Sequence, residues 1–393
     1  MAAKGQSPSR AQGKVNKVTF ELEEYPMEEL ARIRKELVKK GKPVYDFGTG
    51  DPVEPTPEFI RQALLNAVEP ECPYPSIAGR RSVRVAIAQY MKRRFGVDLN
   101  PDNQILPTAG SKEAVFHTPL LVIDPAADDR LVVFPDPGYP AYQRGALFAG
   151  GEAYAVPLHG DHVFRPWLLP DEVLRRTRML WINNPHNPSG AVTSLDDLKR
   201  IYDLCGEYDI LCVSDETYAD IYQDVVPHSV LEAGMNNMLV LHSLSKRSGM
   251  TGYRTGFLAG DAAVMERLKN LRANPGLAAQ DFVNAAAEAA WGDDEHVERR
   301  RQVFRDKKKL FTDFFREVGV EVEASEATIY LWIKVPPGHT DDSYAAHLLQ
   351  HGILLSPGRM FAVGDAGGDY VRLALVPSME QCREAIEIWR KIA

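Results

Sequence analysis

Four short segments of this 393-residue chain combine residue types that suit chemistry. In SLSKRSGMTGYRTG, residues 243–256, Lys246 follows the apolar run LVLHS. Ser243 and Ser245 flank it, and Arg254 lies eight residues on. An amine at a strand end, beside hydroxyls and a guanidinium, suits an imine-forming nucleophile next to a phosphate. The plain alternative is a surface lysine in a Ser/Gly loop.

In VSDETYAD, residues 213–220, Asp215 ends the apolar strand ILCVS, and Tyr218 follows three residues later. An acid there is a metal ligand, an N-cap or the partner of a buried cation. Glu216 points the other way in a strand, so no metal set forms. NNPHNPSG, residues 183–190, follows the strand MLWIN and reads as a rigid turn. Its Asn187 doubles as an amide donor held over a ligand. In AGSKEAV, residues 109–115, Gly110 and Ser111 offer backbone N–H groups at a positive helix end. That is a phosphate cup or a simple Ser cap. Tyr139 in PDPGYPAY adds an aromatic.

These residues need elements to hold them. Apolar strands are expected at 131–134, 153–157, 179–183, 210–214, 239–243 and 256–260. Helical patterns are expected at 58–68, 81–95, 111–123, 139–149, 195–207 and 262–272. Near-continuous apolar strands separated by helices predict an α/β fold with a mostly parallel sheet covered on both faces. The site segments then share the edge where open α/β sheets bind ligands. After residue 290 the pattern becomes a smaller α+β unit: a charged helix near 294–318, strands at 320–324, 328–335, 353–356 and 370–375, and helices at 341–351 and 378–392. A helix opened by Tyr25-Pro26 and ended by Gly41 carries Met27, Leu30, Ile33 and Leu37 at helical spacing. The expected division is a flexible arm over 1–18, a segment 19–57 packing with the small domain, a large domain over 58–290 and a small domain over 291–393.

Composition narrows the function. The chain is 45% hydrophobic and 25% charged, with a net charge of −8. This balance is globular, and the acidic sign disfavours nucleic-acid or anionic-membrane partners. No apolar run reaches the length of a spanning helix. With no secretory pattern near the N-terminus, a cytoplasmic protein is expected. Cys72, Cys205, Cys212 and Cys382 form no Cys-x-x-Cys pair, and Cys205 and Cys212 read as core thiols. Gly48-x-Gly50 is followed by Pro52, with Val53 at the third glycine position, so no dinucleotide-binding helix starts there. His347 and His351 are spaced four apart on a helix but lack a third ligand and a catalytic Glu between them. No metal is expected.

The order Gly110-Ser111, Tyr139, Asn187, Asp215 with Tyr218, S-x-S-K at 243–246 and G-x-R-x-G around Arg254 resembles the class I/II aminotransferases over about residues 20–392. These are pyridoxal-phosphate enzymes of fold type I. The resemblance implies that Lys246 condenses with the cofactor aldehyde and then shuttles the proton. It implies that Asp215 pairs with the pyridine nitrogen and that Tyr218 and Asn187 bond the phenolic oxygen. Tyr139 would stack on the ring, while Gly110, Ser111, Ser243, Ser245 and Arg254 grip the phosphate. Tyr74 in YPSIAGRR matches a tyrosine lent to the neighbouring subunit, which implies a homodimer with shared sites. Arg372 in YVRLAL would bind the substrate α-carboxylate with Gly50, and Lys112 the distal carboxylate of an acidic substrate.

The expected reaction moves an amino group between an amino acid and a 2-oxo acid, with 2-oxoglutarate/glutamate as one couple. N-succinyl-LL-diaminopimelate leads as the second substrate, then aspartate. The alternatives are a β-lyase, a cyclopropane-forming synthase on the same fold, or a non-enzymatic ligand-sensing module.

Overall fold

The computed structural model describes residues 14–22, 25–39, 41, 43–364 and 366–392. Residues 1–13 of the expected arm lie outside the described residues, and Val18–Glu21 forms a single helical turn. Seven strands make the main sheet: β1 (Ile105–Thr108), β2 (Leu131–Asp136), β3 (Glu152–Pro157), β4 (Thr177–Asn183), β5 (Leu211–Asp215), β6 (Met238–Ser243) and β7 (Gly256–Gly260). Their spatial order is β1-β7-β6-β5-β4-β2-β3. β7 runs antiparallel to both β1 and β6. The other four pairings are parallel.

Every residue of β2, β5 and β6 is buried, as a strand covered on both faces must be. Side chains alternate between two cores. Leu131, Val133, Leu180 and Ile182 meet helices Arg81–Phe95, Leu195–Tyr208 and Asp281–Gly292. Val132, Phe134, Met179 and Trp181 meet Ser111–His117, Ala141–Phe148 and Ala262–Ala273. Cys205 and Cys212 are buried free thiols of the first core, as expected.

Short pieces such as Tyr45–Asp46 and helix Asp171–Arg176 escape the sequence pattern, and so do two elements of the main sheet and its helices. β1 is four residues long and contains Pro107, which an edge position tolerates. Helix Asp281–Gly292 is alanine-rich, so it has little apolar contrast to read. The helix expected over 111–123 is two, Ser111–His117 and Pro119–Val122. Pro119 has no N–H to continue the first one.

The C-terminal part starts with helix Glu295–Val318. It has a four-stranded antiparallel sheet in the order Ser356–Pro357, Tyr370–Ala374, Tyr330–Lys334, Val322–Glu323. The N-terminal segment joins this part: Tyr45 and Asp46 pair in parallel with Ile353 and Leu354.

A buried ion cluster pins the main sheet's functional edge to its helices. Asp220 accepts from Tyr90 Oη (2.9 Å), Arg94 Nε (3.0 Å) and Arg247 Nε (2.8 Å). Burial pushes this carboxyl up, yet Arg247 and Arg94 outweigh it and hold it at about 2. Asp220→Ala leaves two guanidiniums without their anion. It should cost about 3–5 kcal/mol in denaturant unfolding; a loss under about 1 kcal/mol would show the cluster to be idle.

Candidate active site

β6 ends at Ser243, and the chain turns at once into the four-residue helix Leu244–Arg247. Ser243 Oγ accepts from the Ser245 N–H (3.2 Å) and donates to Ser245 Oγ (3.0 Å). Leu244 is buried in the core beneath. This turn sets Lys246 at the strand's carboxyl edge, 9% exposed. Its Nζ donates to the Gly50 carbonyl, contributed by a loop nearly 200 positions away. Burial pulls the amine down to about 8; Arg372, Arg300 and Arg254 act in the same direction, against Asp51.

Arg254 lies on the approach to β7 with φ +52°, and its Nη1 donates to the Thr251 carbonyl (3.0 Å). Its guanidinium covers Gly110, where a Cβ would stand 2.5 Å from Nη2. Gly110 also has φ +81°, a backbone conformation that favours glycine, and a side chain there would push the guanidinium aside. Ser111 opens the following helix. Gly110 and Arg254 therefore meet, with Ser111 next to Gly110 in the chain.

Asp215 ends β5, 6% exposed. Its carboxylate accepts from Tyr142 Oη (3.0 Å) and the Thr217 N–H (3.2 Å). Burial pushes its pKa up, against the hydrogen bonds of Thr217 and Tyr142 and the field of His242. Among the described residues no cationic side chain pairs with it. Glu216 points the opposite way, as the strand requires, towards His242 Nε2 (3.0 Å). Tyr139 is half-buried, edge-on to Tyr142 with ring centroids 5.7 Å apart. Tyr218 Oη meets Tyr330 Oη at 2.8 Å.

Arg372 comes from the small sheet. Its guanidinium lies between the rings of Tyr330 (4.0 Å) and Phe361 (4.1 Å). Nη1 donates to Asn187 Oδ1 and Nη2 to the Gly48 carbonyl, each at 3.1 Å. Its buried Nε has no partner. Asn187 is held by its own N–H on Asn183 Oδ1 (2.7 Å), which leaves its Nδ2 to donate.

Two expected residues stand apart. Lys112 is exposed, with Nζ 3.5 Å from the ring centre of Tyr25. It lines a cavity together with Tyr25, Arg144 and Arg254. Tyr74 is fully exposed. Sequence reasoning passed over Tyr142, Tyr330, Phe361 and Gly48. Only Tyr142 carries a signal, one helical step beyond Tyr139 in GYPAY. Among the described residues no group of His, Cys, Asp and Glu is arranged to hold a metal.

This donor set has definite requirements. A buried carboxylate with a raised pKa suits a cationic ring nitrogen. An amine of lowered pKa suits an aldehyde. An arginine over a glycine cradle, with hydroxyls beside it, suits a phosphate. Pyridoxal phosphate has all three groups, and the residues fit it.

Comparison with known proteins agrees. Residues 42–388 match the family model described as aminotransferase class I and II. The chain belongs to this family. LL-diaminopimelate aminotransferase of Aquifex aeolicus is 37% identical, covering 92% of this chain and 95% of that protein. LL-diaminopimelate aminotransferase 2 of a Nostoc species is also 37% identical, over 92% and 94%. Among solved structures, aminotransferase AspB of Helicobacter pylori is 33% identical with a TM-score of 0.86, covering 94% of this chain and 98% of that one. A probable N-succinyldiaminopimelate aminotransferase of Thermus thermophilus is 26% identical, with a TM-score of 0.86 over 93% and 100%.

This aminotransferase moves an amino group between an amino acid and a 2-oxo acid and depends on pyridoxal phosphate. Bound, that group supplies the aldehyde that receives nitrogen and a ring that draws off an electron pair. The β-lyase, synthase and ligand-sensing alternatives are set aside.

The lysine's environment is testable. Borohydride treatment of the loaded enzyme should fix the pyridoxyl group on the Lys246 peptide. Pulse acetylation of the cofactor-free chain, read by peptide mass spectrometry, should rise at Lys246 with a midpoint near pH 8, because only the neutral amine reacts. Labelling of another lysine, or a midpoint near the ordinary 10.5, overturns the assignment.

Proposed function

We propose that the amino donor is LL-diaminopimelate and the acceptor 2-oxoglutarate. The observation that carries the donor is the name borne by the 36–37% identical relatives, LL-diaminopimelate aminotransferase. The N-succinyl derivative expected from the sequence is the substrate in the name of a more distant match, the Thermus structure.

The roles in our reading follow the geometry. Lys246 Nζ would take the proton from the substrate α-carbon and return it to the carbon on the far side of the transferred nitrogen. Its amine is near 8, so it is readily available in neutral form. Asp215 would hold the pyridine nitrogen, and the Tyr142 and Thr217 hydrogen bonds keep its carboxylate in place. Tyr218 and Asn187 Nδ2 would hold the phenolic oxygen, and Tyr139 would cover the ring. Gly110, Ser111, Ser243, Ser245 and Arg254 hold the phosphate. Arg372 binds the α-carboxylate, steered by Asn187 and the Gly48–Gly50 loop. Lys112 would reach the distal carboxylate from the cavity it lines, where Arg144 shares the ring of Tyr25 (5.1 Å).

Tyr74 projects from this protomer with its whole ring exposed. That suits a side chain handed to a second copy, and we keep the homodimer on that ground; the mass in solution decides it. The division into a 58–290 and a 291–393 domain belongs to the same reading. The described cysteines are free, which suits a reducing cytoplasm.

Arg372→Ala should lower kcat/KM by roughly 2–5 kcal/mol of transition-state binding. Arg372→Lys should recover only part, because the planar fork between two rings is lost. Unchanged kcat/KM in Arg372→Ala would move the carboxylate elsewhere.

A donor panel tests the substrate. LL-diaminopimelate should outpace its N-succinyl derivative, aspartate, phenylalanine and leucine. Lys112→Ala should raise KM for LL-diaminopimelate by about tenfold, or 1.4 kcal/mol, and leave phenylalanine unaffected. A faster N-succinyl or neutral donor refutes the donor, and an unmoved KM refutes the role of Lys112.

A further inference from the structure

The loop at residues 48–56 presents its backbone to both working cations. The Gly48 carbonyl accepts from Arg372 Nη2 and Ser356 Oγ (2.7 Å). The Gly50 carbonyl accepts from Lys246 Nζ. The front of the loop is fixed locally: Asp46 Oδ1 accepts from the N–H groups of Gly48 (3.0 Å) and Thr49 (3.1 Å).

The rear is fixed from the long helix Glu295–Val318. Lys307, fully enclosed, pairs with the Glu54 carboxylate and donates to the Leu375 carbonyl (3.2 Å), just past the strand of Arg372. Arg300 Nε donates to the Lys246 carbonyl (2.8 Å), and its Nη1 to the Glu54 carbonyl (3.3 Å). Glu54 Oε2 and Arg300 Nη2 are both buried without hydrogen-bond partners. An anion and a cation are thus left with spare capacity on adjoining groups.

We propose that Glu54 is a positioning residue: with Lys307 and Arg300 it straps the 48–56 loop to the long helix and so sets Lys246 in register with Arg372. The proposal rests on the roles given to those two residues above. The logic is steric and electrostatic. A lysine ammonium in a closed space needs an anion, and Glu54 is the carboxylate within its reach. Satisfying it forces the loop to lie where its carbonyls face the site. Misplacing catalytic groups by about 1 Å costs on the order of a hundredfold in rate.

Two readouts test the strap. In the cofactor-free chain, Glu54→Gln should speed amide exchange at residues 48–53 by about tenfold or more while β5 and β6 keep their protection. In the holoenzyme it should lower kcat/KM by about tenfold or more. Lys307→Met should do the same, Lys307→Arg should recover part, and the Glu54→Gln/Lys307→Met double variant should be no worse than the poorer single one. Should Glu54→Gln not fold, Lys307→Met with Lys307→Arg carries the test. Unchanged exchange at 48–53 overturns the proposal. So does exchange that rises everywhere, or a double loss equal to the product of the single losses. If the pyridoxyl label falls on another lysine, the reading of Lys246 fails while the exchange result still reports on the strap.

Discussion

One pocket must hold an amine that gives up its proton readily and a guanidinium that never does. Lys246 and Arg372 share this space, and both are nearly closed to water. Their different chemistry divides the burden. A guanidinium stays charged at any working pH, whereas an ammonium yields to desolvation and to like charge. Burial, helped by Arg372, Arg300 and Arg254 and opposed by Asp51, therefore moves Lys246 to about 8. Two aromatic faces and two oxygen acceptors surround the Arg372 guanidinium and fix its place.

Much of the remaining architecture meets that demand. The parallel strands β4, β5 and β6 end side by side, so Asn183, Asp215 and Leu241 lie in register. That brings the Asn187 turn, the acid and the lysine helix to one edge. Arg372 arrives from a different sheet, and the Gly48 and Gly50 carbonyls from a third part of the chain. The contacts that close the site run between residues separated by 185 to 324 positions. No single element contains the site; packing between elements creates it.

That division also decides what the sequence reveals. The strands are legible because buried strands need unbroken apolar runs, and β2, β5 and β6 have them. Lys246, Asp215 and Arg254 are legible because each lies within a short motif with its turn residues beside it. Tyr330 and Phe361 leave no such trace. Each looks like an ordinary core aromatic, and only the fold puts it against Arg372. Glu54 and Lys307 look like solvated charges until 253 residues of chain fold back between them. The antiparallel course of β7 is hidden for the same reason: GFLAG reads alike in either direction, and only the short link from the lysine helix reverses it.

Lys246 and Arg247 show how far neighbours, rather than residue type, assign the work. They are consecutive on one four-residue helix, both buried, and both cations by nature. Arg247 turns to Asp220 and Asp294 and lies over the rings of Tyr90 and Trp291. Its charge is answered, so it anchors the helix. Lys246 turns to the other side, where it donates to a neutral carbonyl, and where its burial and the fields of three guanidiniums outweigh that of Asp51. Its charge is not answered by a paired acid, so its proton is loosely held. If Asp220 lay on the Lys246 side of the helix, the amine would be pinned as a cation and lost as a base. The acid that stabilises this helix therefore lies away from the pocket, and Arg300 of the long helix meets the pocket residues at backbone carbonyls. Arg300 meets Lys246 in that way, at its carbonyl, steadying the residue without neutralising its neighbourhood.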